Sequence, residues 1–310
     1  GIRPAFYYQD EELLVAASER PVIQTALNVD ASQVHEVRPG HALIVRRDGQ
    51  VGECVCREPA RKTSCSFERI YFSRGTDEDI YRERKELGRS LAPAILESIG
   101  HDLENTVFSF IPNTASVAFT GLTDALHNFC DTVKAERLSQ LAQPNPEEIR
   151  RILALRPRTE QIAVKDVKMR TFITQDNRRD DLVAHVYDVT YGVVRRDTDN
   201  LVVLDDSIVR GTTLRQSIIG ILDRLQPRQI IIASSAPQIR YPDCYGIDMA
   251  KLQDFVAFNA AIALLHETGQ SGIINEVYKK CKAQERYAKE DIVNYVREIY
   301  EPFTARQISE

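Results

Sequence analysis

The residues of this chain best suited to chemistry are gathered in one run, LVVLDDSIVRGTT, from Leu201 to Thr213. An apolar stretch ends on two carboxylates, Asp205 and Asp206, and Ser207, Ile208, Val209, Arg210, Gly211, Thr212 and Thr213 follow at once. Gly211 lets the backbone approach a ligand closely, while hydroxyls, a guanidinium and the free N–H groups of a helix start all suit phosphate. Carboxylates repel phosphate, but they accept hydrogen bonds from sugar hydroxyls and serve as oxygen ligands for Mg²⁺. The expected ligand therefore carries both a phosphate and a polyhydroxyl or metal-bound part, as a ribose 5-phosphate does. Asp, Ser and Thr ahead of an apolar helix also serve as plain helix caps. Two acids together with Arg-Gly-Thr-Thr, between a strand and a helix, favour the ligand site. No G-x-x-x-x-G-K-[ST] occurs, so the run is not a Walker loop.

The elements around the run are those that would position it. NLVVLDD reads as a buried parallel strand, which puts Asp205 and Asp206 at its carboxyl end, where open α/β sheets bind ligands. TTLRQSIIGILDRL reads as a helix with Leu214, Ile218, Leu222 and Leu225 on one face, and RQIIIASSAP as the next strand. That order calls for a crossover and a parallel sheet. Upstream, FERIYFSR reads as a strand. YRERKELGRSLAPAILESI reads as one helix with Leu87, Leu91 and Ile95 aligned, and a kink is expected at Pro93. TVFSFIPNTAS reads as a strand running into a polar turn, and ASVAFTGLTDALHNFC as a helix. Residues 131 to 165 are polar and Pro-punctuated and take no clear assignment; the chain after Asp254 reads as helical. Residues 1 to about 62 read as β, with HALIVRRDGQVGECVC a hairpin turning at Asp48-Gly49. The fold class expected is α/β with a β-rich segment in front.

Composition bounds the function. With 310 residues there is room for one large domain or two ordinary ones. A net charge of −5 argues against a general nucleic-acid or membrane-surface binder. No apolar run approaches the roughly 20 residues that cross a bilayer. The first residues lack the pattern of a signal peptide. Six cysteines are present, none in a C-x-x-C pair, which gives no zinc signal and suits a cytoplasmic protein with free thiols. A chain starting at Gly1 reads as a cut or processed edge.

The run at 201–213 resembles the phosphoribosyl pyrophosphate (PRPP) signature of the type I phosphoribosyltransferases, in the form found in the glutamine PRPP amidotransferases. Other stretches resemble that family in the same order. GIRP, VAASER and VRPG are similar to the late part of its glutaminase domain. CSFERIYFSRG is similar to the junction into its transferase domain, and YRERKELGRSLA to the first transferase helix. RTFI at 170–173 and SSAPQIRYPDCYGIDM at 234–249 also match, and only 124 to 164 lacks a counterpart. The resemblance implies a type I phosphoribosyltransferase parallel sheet over 63–310, preceded over 1–62 by the β-rich end of an N-terminal nucleophile hydrolase (glutaminase) domain. It implies transfer of ammonia, derived from glutamine, to C1 of PRPP, giving phosphoribosylamine and pyrophosphate as the first step of purine synthesis. It further implies Mg²⁺, purine nucleotide feedback inhibitors and a homo-oligomer.

Carried over by position, Asp205 and Asp206 would bind ribose hydroxyls and Mg²⁺, and Ser207 to Thr213 the 5′-phosphate. IPNTAS matches the P-D-[ST] turn that holds pyrophosphate and metal, with Thr114 at the metal-linked hydroxyl and Asn113 in place of the usual Asp. Thr114 reads equally as a helix cap. In AVKDVKMRTFI, Arg170 matches the family's closing loop and Lys165 lies one position from its Lys, so both are candidate catalytic groups. Val167 and Met169 replace the Tyr and Gly of that loop, and Lys165 and Lys168 also read as solvated loop charges. The family's nucleophilic N-terminal Cys has no match, and Arg3 is the one glutamine-holding position retained. The chain as given is therefore not expected to hydrolyse glutamine. Cys65 matches one ligand of the [4Fe–4S] cluster of some members and Cys244 falls beside another. Four thiolates are needed and the later C-x-x-C is absent, so no cluster is expected. Two alternatives stay open from the loop alone: a base-salvage phosphoribosyltransferase, or a non-catalytic nucleotide sensor.

Overall fold

A computed structural model describes residues 4–59, 65–143, 145–165, 187–211, 214–242 and 251–310. The chain divides into two compact units. The first comprises Gly1–Lys165, Asp188–Asp206 and Leu225–Ser235; the second comprises Asp166–Tyr187, Ser207–Arg224 and Ala236–Glu310.

The first unit begins with β1 (Phe6–Gln9), β2 (Leu14–Ala17), α1 (Arg20–Leu27) and β3 (His35–Glu36), and β1 lies between the other two strands in an antiparallel sheet. The hairpin expected around Asp48-Gly49 forms from β4 (His41–Val45) and β5 (Val51–Val55). Gly49 has φ +85°, the left-handed conformation such a turn requires.

FERIYFSR is not a strand. Glu68–Phe72 form a π-helical turn with Phe67 and Ile70 buried. Short apolar runs are ambiguous between helix and strand, and here a ring cluster decides: Phe67 stacks on Tyr71 at 5.3 Å and meets Phe72 edge-on at 5.0 Å. The single helix expected over 81–99 is two, α2 (Glu78–Ser90) and α3 (Ala92–Ser98). Pro93 lacks an N–H and sits in the first turn of α3, where none is needed, so the chain restarts there rather than kinks. The buried face of α2 is Ile80, Arg84 and Gly88, and not the stripe through Leu87.

After β6 (Thr106–Phe110) comes α4 (Ser116–Ser139), which continues well into the stretch that took no assignment. The rest of that stretch holds α5 (Pro146–Leu153), β7 (Arg158–Thr159) and β8 (Ala163–Lys165). Further along are β9 (Tyr187–Val189), β10 (Asn200–Asp205), α6 (Ile219–Asp223) and β11 (Gln229–Ser234). β11, β10, β6 and β7 form a parallel sheet in that order, as the strand–helix–strand pattern predicted. Its core joins α3 and α4 to the sheet through Ile95, Leu96, Phe108, Leu122, Leu126 and Val202. The helices α2 and α4 cross at two glycines. A Cβ on Gly88 would lie 1.7 Å from the Ala118 carbonyl oxygen, and one on Gly121 would lie 1.8 Å from that of Lys85.

The described elements of the second unit after Gly211 are helical. A π-helical turn at Leu214–Ile218 leads into α6, with Leu214, Ile218 and Leu222 buried as the spacing predicted; Leu225, which opens the last segment of the first unit, is buried too. α7 (Val256–Glu267), α8 (Gly272–Ala283) and α9 (Ala305–Ser309) then enclose a separate core around Ala261, Leu265, Val277, Ile299 and Phe303. Among the described residues no helix is long and apolar enough to cross a membrane.

Candidate functional site

In the first unit the site is built at the carboxyl edge of the parallel sheet. Leu201 to Leu204 are fully buried, as a central strand must be, and Asp205 is its last residue. Register sets Leu204 beside Phe110 and Asp205 beside Ser234. The turn Ile111–Thr114, the pair Asp205–Asp206 and the pair Ser234–Ser235 therefore leave the sheet side by side. Backbone bonds tie the three exits: Ile111 N donates to Leu204 O at 2.9 Å and Ser235 N to Asp205 O at 2.9 Å. Ser235 Oγ donates to Asp206 O at 3.1 Å.

The electrostatics of the edge call for a cation or a hydroxyl donor. Burial, and then the like charge of Asp206, push the Asp205 carboxyl up to about 7. The Asp206 N–H donates to Asp205 Oδ1 at 2.9 Å and works against that rise. Arg84, on the buried face of α2, lies close enough for its charge to interact with that of Asp206. Its guanidinium donates to the carbonyls of Arg69 at 3.0 Å and Ser73 at 2.6 Å. Gly75 leaves room for it, since a Cβ there would lie 3.1 Å from Arg84 Nη1. Sequence reading passed over Arg84 because YRERKELGR is a run of charges in which nothing marks one as buried.

Thr114 is half-buried in the turn before α4, on the same sheet edge as the acids. The cap of that helix is Ala115 and no side chain caps it, so Thr114 does not serve as the helix cap. Lys165 closes β8 and is exposed. Arg170, Thr212, Thr213, Arg3 and Cys244 lie outside the described residues.

In the second unit Ser207, Ile208 and Val209 are half-buried and Arg210 is exposed. Gly211 takes φ +66°, and a Cβ there would come within 2.9 Å of the Val256 side chain. The loop is held by Val256 N donating to Val209 O at 2.8 Å, and Arg215 N donates to Gly211 O at 2.9 Å as the helical turn begins. Only a glycine meets both demands.

No family model matches the chain. An amidophosphoribosyltransferase of Escherichia coli K12 is 28% identical over 247 residues, 78% of this chain and 43% of its own length. That of Bacillus subtilis 168 is 27% identical over 267 residues, covering 84% of this chain and 48% of its own length. The chain is a relative of the amidophosphoribosyltransferases. Solved structures agree in fold. One described as the allosteric regulatory enzyme of purine biosynthesis matches 87% of this chain at 25% identity with TM-score 0.59. The glutamine PRPP amidotransferase of B. subtilis complexed with ADP and GMP matches 78% at 26% identity with TM-score 0.54. This chain spans about half the length of the amidophosphoribosyltransferases it matches.

Proposed function

We propose that the chain carries the phosphoribosyl-transfer step of an amidophosphoribosyltransferase: ammonia attacks C1 of PRPP to give 5-phosphoribosylamine and pyrophosphate. The observation that supports this most is the Asp205–Asp206 pair ending β10 beside the Thr114 turn, in a relative of enzymes with that name. In the step, the ammonia lone pair forms the N–C1 bond, the C1–O bond to pyrophosphate breaks with its electron pair, and the nitrogen sheds a proton. Asp205 and Asp206 accept hydrogen bonds from the ribose hydroxyls and fix C1 in place. Their negative charge favours the cation-like carbon of the transition state. The loop Ser207–Thr213 takes the 5′-phosphate, with Gly211 allowing close backbone approach.

Mg²⁺ fits the acids. Two adjacent carboxylates, one raised toward neutrality by burial and by its neighbour, gain from a cation. Asp205, Asp206 and the Thr114 hydroxyl would hold it. The described residues contain no cluster of three or more His, Cys, Asp or Glu for a metal, so substrate oxygens and water would complete its shell. When bound, Mg²⁺ neutralises charge on the leaving pyrophosphate. Lys165 and Arg170 are assigned to cover that pyrophosphate. Residues 1–62, whose sheets are antiparallel, are assigned to the end of a glutaminase domain and 63–310 to the transferase. Glutamine as the ammonia source, purine nucleotides as competing ligands, a cytoplasmic location and a homo-oligomer belong to the same reading.

The test is pyrophosphate release from PRPP with ammonium and Mg²⁺, together with calorimetric titration of PRPP. Saturable binding and ammonium-dependent release are expected. Absence of PRPP binding with Mg²⁺ present refutes the assignment, and turnover with a free base instead of ammonium redirects it to base salvage.

A further inference from the structure

A second feature lies at the opposite end of the same parallel sheet, before β6 begins. The loop His101–Glu104, the last turns of α4 and Leu155 surround a cavity of about 400 Å³. That volume is in the range of small-ligand sites. Phe129, Val133 and Arg137 face it at intervals of four residues, one stripe along α4. Leu103, 3% exposed, closes the apolar floor. The His101 ring leans on Phe129 with centroids 5.6 Å apart, from a backbone held at φ +60°. A non-glycine residue in that conformation costs energy that the surroundings must offset.

The polar groups around the floor are divided by what already holds them. The Asp102 carboxylate accepts from Asn105 Nδ2 at 3.1 and 3.0 Å and from Asn105 N at 3.0 Å, so it is committed. The Glu104 carbonyl accepts from Arg158 at 3.3 Å and Arg195 at 2.8 Å, which fixes the loop. Glu104 and Arg137 are both among the residues that line the cavity, both are exposed, and among the described residues neither side chain has a hydrogen-bond or ion-pair partner. An apolar floor of Phe129, Val133 and Leu155 is thus accompanied by one acidic and one basic residue that have no such partner among the described residues.

We infer that this cavity binds a small zwitterion with an apolar body, of the apolar α-amino acid class. The carboxylate meets Arg137, the ammonium faces Glu104, and the side chain covers Phe129, Val133 and Leu155. A simple anion would face Glu104 unfavourably, and a simple cation would face Arg137. Both rim charges are exposed, so the site selects by sign and gains its affinity from the floor.

The probe is L-phenylalanine, titrated against the full chain by ligand-observed NMR, with phenylacetate and phenethylamine as the singly charged comparisons. Saturable millimolar binding of L-phenylalanine is expected, with both comparisons about threefold weaker, as exposed charges allow. Arg137→Gln and Glu104→Gln change exposed side chains, so the fold is expected to be retained. Arg137→Gln should remove the preference for L-phenylalanine over phenethylamine, and Glu104→Gln the preference over phenylacetate. Arg137→Glu should make phenethylamine the better ligand. No saturable binding of L-phenylalanine, or binding that ignores these three substitutions, overturns the proposal.

Discussion

At the residue scale, the two acids at the end of β10 do different work from the acid at its start. In the proposed function Asp205 and Asp206 hold the ribose and Mg²⁺, so Asp205→Asn combined with Asp206→Asn should lower ammonium-dependent pyrophosphate release by about a hundredfold or more. Circular dichroism should be unchanged; unchanged turnover would remove the pair from the site. Asp205 also gives a pH signature. Its carboxyl is raised to about 7 in the fold, against about 3.9 in an unfolded chain. Between these values the folded state keeps a proton that the unfolded state has lost, so stability falls as pH rises from about 4 to about 7. In metal-free buffer, Asp205→Asn should flatten that slope in urea unfolding series, whereas parallel curves for the two proteins would contradict it. Asp199, just before β10, is the reverse case. Burial opposes its ionisation, but hydrogen bonds from Arg158 and Arg195 prevail and hold it at about 2. Its side chain is wholly buried. Asp199→Ala should cost about 1–3 kcal/mol, since it removes the acceptor shared by Arg158 and Arg195 and leaves a buried void.

At the scale of elements, two glycines set how close α2 and α4 lie. A Cβ at either position would enter a backbone carbonyl of the opposing helix, and no rotamer change relieves a clash with backbone. Gly88→Ala and Gly121→Ala should each cost about 1–3 kcal/mol in urea unfolding, despite the higher helix propensity of alanine. A neutral or stabilising result would mean that the helices separate freely. The hairpin at Asp48-Gly49, the central strand and its neighbour β11 were legible because their signals are local: a two-residue turn and unbroken apolar runs. FERIYFSR was not. Its apolar residues fit strand or helix, and only the ring contacts of Phe67, Tyr71 and Phe72 choose.

At the scale of the whole molecule, each unit has its own core and a cysteine packed in or against it. Cys130 is fully buried in the first unit and Cys281 packs against the core of the second. Leu265 is fully buried beside the latter, and Leu265→Ala should cost that unit about 2–5 kcal/mol. Thiol labelling across a urea series should then show the Cys281 midpoint falling while that of Cys130 holds. A joint fall would show that the two units unfold as one.

The sequence by itself determined the residue types of the Asp205–Gly211 run, the strand that delivers the acids to a sheet edge, and the relationship those motifs announce. All of these rest on neighbours along the chain, within reach of one strand or one turn. The tertiary structure alone decided that Arg84 is buried within range of the Asp206 charge, that Thr114 shares the acids' edge without capping α4, and that Glu104 and Arg137 line one cavity with Phe129, Val133 and Leu155. Each of these depends on which strands pair and which helices cross, and that is set by burial between segments far apart in the chain.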